Sequence, residues 1–210
     1  MIGFVTGLEA EVRLLDGLGV LAAAGGGTPQ GAFAAALRLV SCGASALVSY
    51  GLAGGLDPSL RPGALVVPNY VVDHDFTYRC DAALLANLGG ATVERVIGAD
   101  SIAVTAVAKA DLFDASGAAA VDLESVSVAR AAEGCGVPFA VMRAVADPAW
   151  RDLPPASLIA IDSDGRIALR RVIGSVVRQP SQIFGLIRLA GDAAAARRTL
   201  LRQARFRFSG

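Results

Sequence analysis

The chain has one histidine, one tryptophan, three cysteines and only 6% aromatic residues in 210 positions. One histidine is too few to build a zinc centre with Cys42, Cys80 and Cys135, and these cysteines lie far apart with no CxxC pairing. They read instead as buried thiols in a reducing cytoplasm. No apolar run approaches the roughly 20 residues that cross a bilayer. Neither a basic leader nor a small-residue cleavage site precedes the strand-like Ile2-Gly3-Phe4-Val5, so a cytoplasmic location is expected. The chain also lacks internal repeats and low-complexity linkers.

What is present is aliphatic. The 54% hydrophobic fraction comes mostly from Ala, Val and Leu, which suits a layered protein with buried strands and excludes a disordered chain. This length supports one domain, residues 1–210, where two would each have a thin core. The formal net charge of zero hides an asymmetry. Residues 166–210 hold ten arginines and a single acid, Asp192, so a basic region spanning about 156–210 follows an acidic body.

Strand-like and helix-like stretches alternate. Met1–Thr6, Val20–Ala24, Ala46–Tyr50, Ala64–Pro68 with Tyr70–Asp73, Ala118–Val121 and Phe139–Ala146 read as strands. Helices are expected over Leu8–Leu18, from Thr28 as cap to about Val40, near Asp81–Leu88, over Val107–Ala115 and over Glu124–Glu133. After Pro154-Pro155 the pattern is helical to the end, broken at Pro180. Such alternation predicts a three-layer α/β/α sandwich around a central mixed sheet.

Ligands of such folds sit where strands end, and four exits carry suggestive residues. In Thr6-Gly7-Leu8-Glu9-Ala10-Glu11 a glycine turn leads into a helix start, which reads either as ordinary acid placement or as a ligand turn. Ser49-Tyr50-Gly51-Leu52-Ala53-Gly54-Gly55 is either a tight turn or bare backbone on which a ligand packs. In Asp122-Leu123-Glu124-Ser125 two carboxylates open a helix. They either cap it or grip a vicinal diol such as the 2′- and 3′-hydroxyls of ribose. The last, Arg143-Ala144-Val145-Ala146-Asp147-Pro148, delivers one acid from an apolar strand. It is either a turn aspartate or a partly desolvated proton donor.

Taken together, in this order, the four segments resemble the nucleoside phosphorylase and nucleosidase superfamily, in particular its methylthioadenosine/S-adenosylhomocysteine nucleosidase branch. The likeness covers roughly residues 1–150. It implies that Glu11 orients or deprotonates a nucleophilic water, that Glu124, with Leu123 in place of the family's Met, binds ribose, and that Asp147 protonates the purine at N7. Gly51, Leu52, Ala53 and Gly54 match the family's glycine loop. Ser101, Ile102 and Ala103 fall where related nucleosidases hold the base, with Ile102 in place of an aromatic. Within the superfamily, Gly54-Gly55-Leu56-Asp57-Pro58-x-Leu60-Arg61-Pro62-Gly63, Asp122-Leu123-Glu124-Ser125, Ala146-Asp147-Pro148 and the Arg-rich C-terminal region resemble the hopanoid-associated phosphorylases. That implies adenosylhopane as substrate.

The attacking group stays open. Gly25-Gly26-Gly27-Thr28 leads into a helix N-terminus and could hold phosphate as co-substrate. Yet the arginine that bacterial phosphorylases place before the glycine loop is replaced by Ser49-Tyr50, leaving Arg61 and Arg143 either as substitutes or as structural residues. His74 reads as structural or as a pocket-rim residue. No cofactor and no metal are implied, and a homo-oligomer is. The basic region is either a pair of amphipathic helices with a solvated face or a surface for anionic membrane and a lipid-linked nucleoside. Nucleic-acid binding is disfavoured by its few aromatics. Two alternatives to the hopanoid reading remain: a soluble methylthioadenosine/adenosylhomocysteine-type nucleosidase, and a non-catalytic nucleoside-binding module.

Overall fold

The computed structural model describes residues 1–158 and 182–208. Arg166, Arg170, Arg171 and Arg178, and the expected break at Pro180, lie outside the described residues.

The apolar run at the N-terminus forms β1 (Ile2–Thr6), paired in parallel with β2 (Leu21–Ala24) on one side and β3 (Ala46–Gly55) on the other. Strand β3 is the trunk of the sheet. Most of its length runs parallel to β9 (Phe139–Asp147), whose far edge carries the two-residue antiparallel strand β4 (Leu65–Val66). On its other side, the last two residues of β3 pair with β8 (Ala120–Asp122), in antiparallel fashion. From β8 the sheet continues through β7 (Val93–Gly98) and β5 (Pro68–Val72) to the antiparallel edge strand β6 (Thr77–Arg79). The strand order is therefore β2-β1-β3-β8-β7-β5-β6, with β9 and β4 branching from β3.

Alternation along β1 shows how the helices are distributed. Gly3 faces Leu39 of α2 (Pro29–Ser41), so closely that a Cβ there would lie 3.1 Å from the Leu39 Cβ. Its neighbour Phe4, on the opposite face, makes edge contacts with Tyr50 and with Phe208 of the C-terminal helix α7 (Gln182–Phe208). Successive strand residues point to opposite faces, so α2 and α7 cover opposite sides of the sheet. Helix α5 (Ser125–Cys135) packs beside α2. The expected α/β/α sandwich with a mixed sheet is what forms. Ala196, Leu200 and Ala204 bury one stripe of α7 completely.

Several elements depart from expectation. Leu8–Leu18 is not one helix: a single turn, α1 (Glu9–Val12), passes into a 3-10 turn at Arg13–Leu15. Gly17 and Gly19, at φ +79° and +65°, then reverse the chain, which helix continuation forbids. The glycine string Gly51–Gly55 is no turn but the second half of β3. Strands β6 and β7 were not anticipated; in β7 the exposed Glu94-Arg95 interrupts the apolar pattern. Of the three cysteines only Cys80 is buried, whereas Cys42 and Cys135 are exposed near the C-terminal ends of α2 and α5.

The remaining helices match expectation closely. Thr28 caps α2 by accepting from Gly31 N–H at 3.1 Å, with Pro29 at the first helical position. Asp81 caps α3 (Ala82–Leu88), and Thr105 caps α4 (Ala106–Ser116). A short helix α6 (Pro155–Leu158) follows β9.

Candidate active site

The exits of β1, β2, β3, β8 and β9 converge on one cavity of about 530 Å³. Its acidic wall begins with Glu11. This side chain is 2% exposed, and both its carboxylate oxygens are engaged by backbone: Oε2 accepts from Leu8 N–H at 2.9 Å, Oε1 from Leu52 N–H at 3.0 Å. A glutamate three residues into the first turn thus closes its own helix start and also ties β1 to β3.

Glycine at position 51 makes this possible. In the β3–β9 register Gly51 sits opposite Arg143. A Cβ there would come within 2.7 Å of Glu11 Oε1 and 2.8 Å of Arg143 Nη1. Gly51 and Gly25 do not themselves line the cavity, contrary to expectation for both. Gly25 packs the end of β2 on α2, where a Cβ would meet the Ala32 amide nitrogen at 2.6 Å. The cavity is bordered instead by Gly26, Gly27 and Thr28, and by Leu52, Ala53 and Gly54.

Arg143, read from sequence as a substitute phosphate ligand or a structural residue, is the hub of a buried network. It is 1% exposed. Its Nε lies 3.1 Å from Asp122 Oδ2, and its Nη2 lies 3.0 Å from Glu124 Oε2. Nη2 also donates to Ser49 Oγ at 2.7 Å, and Nη1 to Leu52 O at 3.3 Å. Asp122 in turn holds the start of α5. Its Oδ1 accepts from the Glu124 and Ser125 amides at 2.9 and 2.8 Å, and its Oδ2 accepts from Ser125 Oγ at 2.5 Å. Asp122 does the capping, which frees Glu124 for the cavity.

Three carboxylates therefore share one guanidinium. Glu124 is pushed up to about 7, by burial first and by Asp122 and Glu11 as well, against the opposing pull of Arg143. Glu124 Oε1 faces Gly7, where a Cβ would come within 2.8 Å of it. Beneath the cluster, Tyr50 is fully buried; burial first, and Glu11 second, raise its phenol far above its ordinary range.

Asp147 enters the cavity from the end of β9 through an irregularity. Ala53 pairs with Val145 but Gly54 pairs with Asp147, so Ala146 is bulged out. Bulges re-aim side chains at sheet ends, and Asp147 and Ala146 both line the cavity. Asp147 is 8% exposed, and burial lifts its carboxyl above the ordinary range against the opposing pull of Lys109 and Arg151. Its partner is Lys109 of α4, with Nζ 2.5 Å from Asp147 Oδ2.

Ser101, Ile102 and Ala103, from the loop between β7 and α4, form the opposite wall, with Leu123 beside Glu124. Ile102 is 48% exposed. Leu153 and Ser157, from the segment after β9, also line the cavity and carried no sequence signal. His74 and Arg61 lie elsewhere. His74 is exposed on a separate cavity of about 200 Å³ beside Asp73 and Asp100. Arg61 is exposed and stacks on the Trp150 ring at 5.0 Å. Lys109 was missed because an isolated lysine inside a helix looks like a solvated side chain. Among the described residues no cluster of His, Cys, Asp or Glu could hold a metal ion.

The same fold occurs in solved nucleosidases. The 5′-methylthioadenosine/S-adenosylhomocysteine nucleosidase of Neisseria meningitidis, in complex with methylthio-immucillin-A, superposes with a TM-score of 0.74 at 16% identity, covering 100% of this chain and 99% of that one. The S-adenosylhomocysteine nucleosidase of Streptococcus pyogenes, with 5-methylthiotubericidin, gives 0.68 at 18% identity over 96% and 94% of the two chains. A futalosine hydrolase mutant of Helicobacter pylori gives 0.67 at 16% identity over 97% of each. These likenesses concern the fold. Membership rests on the family model of the phosphorylase superfamily, which matches residues 13–84 and 80–177. With every strand that carries the cavity inside that match except β1, the chain belongs to the phosphorylase superfamily, an enzyme family whose fold it has.

Proposed function

We propose that this protein cleaves the N-glycosidic bond of an adenine nucleoside, with Asp147 as general acid and Glu124 as ribose ligand. The observation that carries this reading is the meeting of Glu11, Glu124 and a desolvated Asp147 around one cavity at the strand ends. Breaking a ribosyl C–N bond builds positive charge on the sugar and negative charge on the leaving purine. A protonated Asp147 gives its proton to N7, a general-acid effect of about 10²–10⁴-fold. An ionised Glu124 accepts from the ribose hydroxyls and favours the cationic sugar. Ser101, Ile102 and Ala103 would flank the base, with Leu123 against the sugar.

Water is the favoured nucleophile. Among the described residues the one cation that lines the cavity is Arg143, already paired with Asp122 and Glu124. A phosphate beside it would face three carboxylates. Glu11, fixed by two amides, is placed to orient a water. The turn Gly26-Gly27-Thr28 at the start of α2 is the alternative anion site, with phosphate then a co-substrate.

The favoured substrate is adenosylhopane. Its support is the resemblance of residues 54–63, 122–125 and 146–148 to the hopanoid-associated group and the exposed Ile102 at the cavity margin. Helix α7 presents Arg188, Arg198, Arg202 and Arg205 with Phe184, Ile187 and Phe206 on its exposed side. Such a face suits peripheral contact with anionic lipid on the cytoplasmic side. A soluble nucleosidase acting on methylthioadenosine or adenosylhomocysteine is the second reading, favoured by the nucleosidase fold, and assembly into a homo-oligomer accompanies either.

The test is adenine release from adenosine, 5′-methylthioadenosine and adenosylhopane, each with and without phosphate. Free ribosyl product in both conditions supports hydrolysis, and strict phosphate dependence overturns it. Preference for the lipid-tailed substrate supports the first reading, and preference for methylthioadenosine the second. Asp147→Asn should lose about 10²–10⁴-fold in kcat. No release from any of the three leaves only a nucleoside-binding module.

A further inference from the structure

Lys109 is the only lysine in the chain; the other eighteen of its nineteen cationic side chains are arginines. It is also completely buried, in the first turns of α4. Its ammonium is held by three oxygens: Asp147 Oδ2 at 2.5 Å, Arg151 O at 2.7 Å and Pro148 O at 3.1 Å. An ammonium has three donors, so each is used. The two carbonyls belong to the turn that directly follows Asp147, which makes Lys109 the point at which α4 grips the end of β9. Arginine's planar fork could not serve three oxygens converging on one nitrogen.

Burying a lysine is costly unless its charge is matched, and here Asp147 supplies the match. The anchoring of α4 itself is provided separately. Thr105 caps it, and Asp152 Oδ1 accepts from the Ala106 amide at 2.7 Å. Lys109 engages one oxygen of Asp147, and among the described residues no protein group bonds the other, Oδ1.

Resting on the reading of Asp147 as general acid, we propose that Lys109 is its positioning residue: it fixes Asp147 through Oδ2, leaving Oδ1 to carry the proton to the purine, and neutralises the carboxylate left behind. In that step the Oδ1–H bond breaks and the proton joins N7, the C1′–N9 electron pair passes into the purine ring, and the oxygen of the attacking water bonds the cationic C1′ and releases its own proton to solvent. Asp147 becomes a carboxylate against an ammonium whose own charge does not change. Water returns the proton after the products leave. The other charged groups around Asp147 are the Arg151–Asp192 ion pair on its outer side and the Arg143 cluster with Asp122, Glu124 and Glu11 along the cavity. Lys109 is the cation in direct contact with Asp147, whereas Arg151 is paired with Asp192.

The test uses two leaving groups. Adenine needs a proton to depart; 4-nitrophenolate, from 4-nitrophenyl β-D-ribofuranoside, does not. Lys109→Met should lower kcat for adenosine and 5′-methylthioadenosine at least tenfold more than for the nitrophenyl riboside, with KM little changed. Lys109→Arg should not restore the difference. Equal losses on both kinds of substrate, or none, would overturn the proposal. Asp147→Asn, assayed alongside, tests the reading beneath it. If that variant is not selectively impaired on adenine nucleosides, the general acid is wrong; if it is and Lys109→Met is not, only the Lys109 inference fails.

A second measurement needs no lysine variant. In protein labelled with ¹³C-lysine the Cε–Hε correlation of Lys109 is the sole lysine signal. It should shift with pH as Asp147 titrates, and the shift should vanish in Asp147→Asn. A pH-independent signal in the wild type, or the same titration in Asp147→Asn, refutes the coupling.

Discussion

The role proposed for Glu124 follows from where its chain neighbours point. Asp122 takes over the amides of the α5 start, so Glu124 is left with one oxygen on Arg143 and the other toward the cavity. Burial raises it from an ordinary 4.5 to about 7. An acid with a raised value takes up a proton on folding. Its contribution to stability is therefore greatest below about 4.5, declines as pH rises toward 7, and is level above that. The same titration acts oppositely on catalysis, because the ionised form is the better ribose acceptor. We expect kcat/KM for adenosine to rise through an acid limb near pH 7, and Glu124→Gln to lose that limb together with most of the rate. A pH profile retained unchanged in Glu124→Gln would remove the assignment. At this scale the sequence shows the acids at the strand ends but not their duties. Asp122 and Glu124 are two residues apart and chemically alike, and only the amides around Asp122 separate capping from ligand binding.

At the scale of elements, the sheet works as a frame that holds acids against one arginine. β3 and β9 run side by side, and Gly51 leaves the gap into which Arg143 and Glu11 reach. Gly51→Ala inserts a methyl group between Glu11 Oε1 and Arg143 Nη1. It should cost about 1–3 kcal/mol in thermal unfolding and lower kcat/KM as well. An alanine variant with wild-type Tm and activity would mean that the two side chains part freely. Arg143→Met removes the charge shared by Asp122, Glu124 and Glu11. Stability should drop by about 3–5 kcal/mol in urea denaturation at pH 8. The deficit should shrink on acidification, since protonating the carboxylates removes the repulsion that Arg143 had offset. The frame was partly legible in advance. Apolar runs located β1, β2, β3, β8 and β9, and Thr28-Pro29 located the start of α2. The continuation of β3 through Gly51–Gly55 was not legible. Glycines disfavour strands in isolation, and only pairing with β8 and β9 holds them extended.

Across the whole molecule, α7 joins the basic region to the core. Ala196, Leu200 and Ala204 are fully buried, Phe208 packs on Phe4, and Thr199 Oγ1 donates to Gly63 O at 2.9 Å. Removing this helix would expose the face of the sheet, so its surface chemistry is better tested by charge reversal. Arg198→Glu, Arg202→Glu and Arg205→Glu together, all on exposed arginines, should leave Tm within a few degrees of wild type. Each arginine near an anionic bilayer is worth about 1 kcal/mol, so flotation with anionic liposomes should fall more than tenfold. Equal recovery of variant and wild type would assign the arginines to solvation alone. Among the described residues no helix is long and apolar enough to cross a membrane.

By itself, the sequence determined the α/β class, most strand positions and the Thr28 cap of α2, and put Glu124 and Asp147 forward as candidate site residues. Each of these rests on local chemistry: apolar runs that must be buried, cap side chains that serve nearby amides, and acids where strands stop. Tertiary structure alone decided the rest. The Ala146 bulge aims Asp147, Arg143 turns from a free cation into the centre of an acid cluster, and a lone lysine from a distant helix meets the acid it serves. These depend on register and on side chains brought together from far along the chain, and the spacing of residues in one strand or helix carries no trace of either.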